Sequence, residues 1–109
     1  MKQNEPKPSP VKTRFGDIAP KLAELTDDVL FADVWERPQL SKRDRSLITI
    51  AALIALGRME QLPFHLEKGL ANGITREEII EVITHLAFYS GWPTSVSAVE
   101  RAKDLFKRT

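Results

Sequence analysis

The sequence predicts an all-α protein, a compact bundle of about five helices, and three observations carry that prediction. Apolar residues recur at three- and four-residue spacings, and no window sustains the period-two alternation of a half-buried strand. Helix-start signatures stand at Ser41 with Asp44 and at Thr75 with Glu78. The 109 residues are 42% hydrophobic and 28% charged, enough for one domain with a real core. A lone domain of this size is only modestly stable, so association with further copies would help it.

Taken in order, residues 1–14 are expected to form a flexible, basic arm. It holds three of the seven prolines and has Met1 and Val11 as its apolar groups. Residues 15–109 form the helical domain. Its first helix is expected over about Asp17–Ala32, with Pro20 in the first turn and Ile18, Leu22, Leu25 and Val29 on one stripe. Trp35-Glu36-Arg37-Pro38 breaks it. Ser41 caps a second helix that runs to Leu56, stops at Gly57, and reads over Leu47–Leu56 as apolar on nearly every side. Such a helix is expected to be buried all round. The third covers about Glu60–Ala71, with Pro63 near its start and Asn72-Gly73 at its end. Thr75 and Glu78 open the fourth, Arg76 to about Tyr89, and Gly91 closes it. Pro93 helps start a fifth that ends near Lys107, where Lys103, Lys107 and Arg108 suit the negative end of the helix dipole.

Charge and composition exclude several function classes. Sixteen Lys and Arg against fifteen Asp and Glu give +1. Residues 1–14 carry four cations and one carboxylate, a net of +3, so the rest of the chain comes to −2. No basic stripe runs through the domain, which argues against nucleic acid as a partner. The ten-residue apolar run Leu47–Leu56 is about half the length of a bilayer span. MKQNEPKPSP does not resemble a secretory signal, so the expectation is a cytoplasmic protein with no membrane partner. Without cysteine the chain has no disulfide, zinc–thiolate site or thiol nucleophile, and a count of two histidines argues against a His-rich metal site. No metal and no cofactor are expected.

Six residues are candidates for chemistry. His65 falls at the edge of the third helix's apolar face (Met59, Leu62, Leu66, Gly69, Leu70), roughly 100° from its centre. An imidazole there can present one nitrogen to a cavity, or simply hydrogen-bond a neighbour. His85 points away from the core face of the fourth helix and shares its outer side with Glu78, Glu81 and Tyr89. That is either a proton-transfer cluster or a solvated helix face. Arg45 and Arg58 bracket the apolar helix and its exit, where a guanidinium can grip a carboxylate or pair with Asp44 or Glu60. Tyr89 and Trp92 read as packing or pocket lining.

The spaced patterns VWxRPxL, RxLxTIAAL and HLxxGLxNGxTxEEIxEVxxHLAxYxGWP resemble the carboxymuconolactone decarboxylase family over roughly Ile18–Ala102. The same superfamily includes the alkylhydroperoxidase D proteins, which are similar in helical fold and use a CxxC pair followed by a His. Matching by the His-to-Gly spacing puts that His on His65, the two cysteines on Arg58 and Gln61, and the upstream acid near Ser46. A thiol peroxidase is therefore excluded by chemistry. The resemblance implies cofactor-free decarboxylation of a small lactone dicarboxylate, of the 4-carboxymuconolactone kind, in the breakdown of aromatic acids. It also implies a ring-like homo-oligomer, a trimer or more commonly a hexamer. Under it, Arg45 or Arg58 would bind carboxylate and oxyanion, His65 and secondarily His85 would donate the proton, and Tyr89 and Trp92 would shape the pocket. The alternatives are a related lyase or isomerase on another small carboxylate, and a non-catalytic binding or partner subunit.

Overall fold

The computed structural model describes residues 14–109, so all of the expected arm except Arg14 lies outside the described residues. These residues carry five helices and no strand, as the periodicity predicts. The chain divides between Gln39 and Leu40 into two compact units.

In the first unit, helix α1 (Pro20–Glu24) starts on Pro20, whose fixed φ suits a first turn. It does not continue as α to Ala32. The chain widens into a π-helical stretch over Leu25–Phe31, closed by the Ala32 amide donating to the Asp27 carbonyl five residues back. The Thr26 hydroxyl donates to the Leu22 carbonyl at 2.8 Å, the acceptor that an α-helical Thr26 amide would use, and this competition favours the wider ring. A 3₁₀ turn (Val34–Glu36) follows, and Arg37 is extended, as the residue before a proline prefers. Trp35 is buried and packs its ring 5.9 Å from that of Phe31, while Ile18, Leu22, Leu25 and Val29 are exposed.

The second unit is a four-helix array: α2 (Lys42–Leu56), α3 (Leu62–Ala71), α4 (Arg76–Ser90) and α5 (Trp92–Arg108). Ser41 caps α2 by accepting the Asp44 amide at 3.0 Å. Gly57, at φ +71°, lets the chain turn back, with the Arg58 and Gly57 amides taking the Leu53 and Ile54 carbonyls. The third helix begins two residues later than expected. At Thr75 the capping box closes in both directions: Glu78 N donates to Thr75 Oγ1 and Thr75 N donates to Glu78 Oε1.

Ile50, Ile54, Leu62, Leu66, Ile79, Ile83, Ala98, Ala102 and Leu105 form the buried core of these four helices, with Ile74 beside them. The small alanines of α5 let it lie close, and Ser95 donates to the Ile83 carbonyl at 3.0 Å. Helix α2 is not buried all round. Ile50 and Ile54 face the core, but Ile48 is 55% and Leu56 67% exposed. Within this unit the other helices pack against one side of α2 and leave its outer side open, a non-local fact that an apolar run does not encode.

Candidate functional site

His65 owes its place to the apolar spacing of α3. Leu62, Leu66 and Gly69 turn into the core, which leaves the intervening imidazole half-buried at the boundary. Its Nδ1 atom is shielded from solvent, and the Phe64 ring stands edge-on at 5.0 Å. Burial lowers the His65 pKa below its ordinary 6.5, and the Lys68 ammonium one turn on adds to the shift. The ring is therefore mostly neutral at pH 7.

Two contacts fix α3 against α2. A Cβ on Gly69 would lie 2.9 Å from Ile50 Cδ1 and 3.3 Å from Ile74 Cδ1, so the absence of a side chain is what permits this approach. One turn away, Asn72 donates to the hydroxyl of fully buried Ser46 at 2.9 Å. Ile50 opposite Gly69 and Ser46 opposite Asn72 make the two helices antiparallel. Arg45 lies five residues before Ile50 and His65 four before Gly69, so the two run apart by about 13 Å along the axes at 1.5 Å per residue. Arg58, exposed just past the C-terminus of α2, lies at the His65 end of the pair. Arg45 is half-buried, with its Nε shielded from solvent.

His85 occupies a different place. It is exposed on the outer side of α4 and stacks on Tyr89 with centroids 4.8 Å apart and planes 29° apart. Together with Leu47, Ala51, Val82 and Leu86 it lines an open cleft of about 400 Å³ between α2 and α4. Glu78 and Glu81 line the same cleft. The Thr75 amide and then the Arg43 guanidinium hold the Glu78 carboxyl below its ordinary range, so it is a carboxylate at any physiological pH. Arg43 clasps the second oxygen of Glu78 and so ties the N-termini of α2 and α4 together. Trp92 meets Phe88 edge-to-face at 5.2 Å and lines a separate groove with Ile83, Ser95 and Val96.

The six sequence candidates thus form no single cluster. His85 and Tyr89 are brought together, Trp92 lines another groove, and His65 lines neither. Sequence reasoning missed the roles of Arg43, Ser46 and Asn72. Glu78 was legible as a cap, but nothing local points to a guanidinium 35 residues away. Among the described residues no group of three or more His, Asp or Glu is spaced to hold a metal ion, and no helix is long and apolar enough to cross a membrane.

The described residues thus form a helical, strand-free domain in a chain without cysteine. Residues 20–104 match the carboxymuconolactone decarboxylase family, and the chain belongs to that family. It is 44% identical over 77 residues to the 4-carboxymuconolactone decarboxylase of Acinetobacter baylyi, covering 71% of this chain and 58% of that protein. It is 34% identical over 76 residues to the nitrosuccinic acid decarboxylase of Metarhizium robertsii, covering 70% of this chain and 53% of the relative. An uncharacterised 15.0 kDa protein of Paracoccus denitrificans is 30% identical over 91 residues, 82% of this chain and 68% of its own. The chain spans little more than half the length of the two decarboxylases it matches.

Proposed function

We propose that this protein is a carboxy-lyase that removes CO2 from a small lactone dicarboxylate resembling 4-carboxymuconolactone, without a cofactor. The observation that carries the reading is the 44% identity to a decarboxylase of that substrate. The chemistry suits a chain with so few reactive groups. The bond from the ring carbon to its carboxylate breaks, and the electron pair moves through the adjacent C=C into the lactone carbonyl. The resulting dienolate then takes up one proton. Nitrosuccinate, named for a second relative, likewise carries its own electron sink in the nitro group. The protein has to supply a grip on carboxylates, an apolar wall that disfavours the departing charge, and a proton.

His65 is the proton donor in this reading. Its imidazole is partly desolvated, and a bound dianion would supply the countercharge that raises its pKa and loads the proton. Arg58, at the same end of the α2–α3 pair, grips a carboxylate, whereas Arg45, about 13 Å away along the helix axes, is too far for one small substrate to reach both it and His65 within a chain. His85 is the weaker donor, because Glu78 and Glu81 beside it repel a dianion. Tyr89 and Trp92 shape apolar walls rather than bind charge.

The test is loss of lactone absorbance and release of CO2 from 4-carboxymuconolactone by purified protein. Turnover on the order of 1 per second or faster is expected. His65→Ala should remove most of it, with helicity by circular dichroism unchanged. Normal turnover in that variant would transfer the role to His85. No turnover in the unaltered protein would leave the family assignment standing and favour another small acid as substrate, or a binding role.

A further inference from the structure

Helix α3 carries a polar stripe that the core does not use. At about 100° per residue, Lys68 and Asn72 fall within roughly 60° of His65, and Phe64 lies about 100° away on the same side. Lys68 and Asn72 are half-buried like His65, and Phe64 is 54% exposed with its ring edge-on to the imidazole. Asn72 is committed to the Ser46 hydroxyl, which leaves Lys68 as the cation of the stripe. It follows His65 by three residues, where side chains on a helix are neighbours, about 4.5 Å further along the axis. Its ammonium is near enough to depress the imidazole's pKa. Glu67, the one acid in α3, falls about 160° from His65, so no carboxylate of this helix stands on the Lys68 side.

We propose that Lys68 binds the carboxylate that the substrate keeps, and so sets a preference for dianions over monoanions. This rests on the decarboxylase reading above. Loss of CO2 consumes one of the two carboxylates of a dicarboxylate, and the two need separate cations. Arg58 approaches His65 from the N-terminal side of α3 and Lys68 from the C-terminal side. A substrate lying across the imidazole thus meets one cation at each end, with the Phe64 ring as an apolar wall beside it. Arg45 lies beyond Lys68 along the axes, and His85 faces Glu78 and Glu81 in another cleft. Pairing Lys68 with a carboxylate also cancels the field that depresses the imidazole, so binding loads the proton that His65 delivers.

Two assays on the full chain test this. Binding is read by isothermal titration with the saturated lactone dicarboxylate, which lacks the C=C that carries the electron pair and so does not react. The same titration uses its monoester, blocked at the carboxylate that stays. Lys68→Met should raise the Kd of the dianion at least about 10-fold and leave that of the monoester nearly unchanged, while Lys68→Arg restores most of the loss. In turnover of 4-carboxymuconolactone the loss should fall mainly on KM. Lys68→Met should also move the fall of kcat/KM to higher pH, because the cation that depresses His65 is gone. Lys103→Met, at an exposed lysine of α5, should change none of these. A Lys68→Met variant that keeps the Kd and KM of the dianion would overturn the proposal. So would an equal loss for dianion and monoester, which marks a structural role. Lys68-dependent binding of the dianion without turnover would remove the reaction proposed above and leave this site standing, whereas no binding of the dianion by the unaltered protein would overturn the site itself.

Discussion

Desolvation of the His65 ring sets a direction for its pH dependence. A proton donor works only in its protonated form, so kcat/KM should fall as pH rises through the His65 pKa, which lies below 6.5. A profile from about pH 5 to about pH 8 checks this, and His65→Gln should flatten it. Rising kcat/KM over that range would make His65 a base. Stability moves the opposite way. Above 6.5 neither folded nor unfolded chain binds the proton, whereas between the lowered folded value and 6.5 the unfolded chain binds more of it. The His65 contribution is therefore complete above 6.5 and is lost as pH falls through that window, and His65→Gln should make the melting temperature less sensitive to pH there. The position of His65 at a face boundary was legible from the wheel. Its neutrality was not, because desolvation depends on what surrounds the ring.

At the scale of elements, the junctions carry the sharpest predictions. Thr75→Ala removes the acceptor for the Glu78 amide and should cost about 1 kcal/mol in denaturant unfolding. The stabilisation from ionised Glu78 is present above its ordinary value of 4.5 and is lost as pH falls through its lowered folded value. Arg43→Ala should reduce that acid sensitivity without removing it, since the Thr75 bonds persist. Gly69→Val would force a branched side chain against Ile50 and Ile74 and should cost about 1–3 kcal/mol by overpacking. Helix starts were legible because caps are local, and Ser41 and Thr75 sit where the chain says they should. The π-helical widening after Glu24 was not, because it turns on one hydroxyl choosing its acceptor. Nor was the open outer side of α2, since Ile48 and Ile50 are the same residue type and packing by other helices decides which is covered.

On the scale of the whole molecule, the division at Gln39–Leu40 gives residues 40–109 a core of their own. Those residues alone should keep their helices and melt cooperatively, a result that scanning calorimetry would show as a single transition. For a core this small, any association between copies would add to stability by mass action. A melting temperature of the full chain that rises with protein concentration would reveal such association.

The exposed rings on the α4–α5 hairpin, His85, Phe88, Tyr89 and Trp92, have a bearing on the order of events during folding. All four rings fall within eight consecutive residues, so the surface exists once the short turn at Gly91 has joined α4 to α5. The α2–α4 cleft has to wait until segments 35 residues apart have met. A sticky face thus matures ahead of the rest of its own domain. Crowded refolding would then bring half-formed chains together too early, and yield should drop as chain concentration rises.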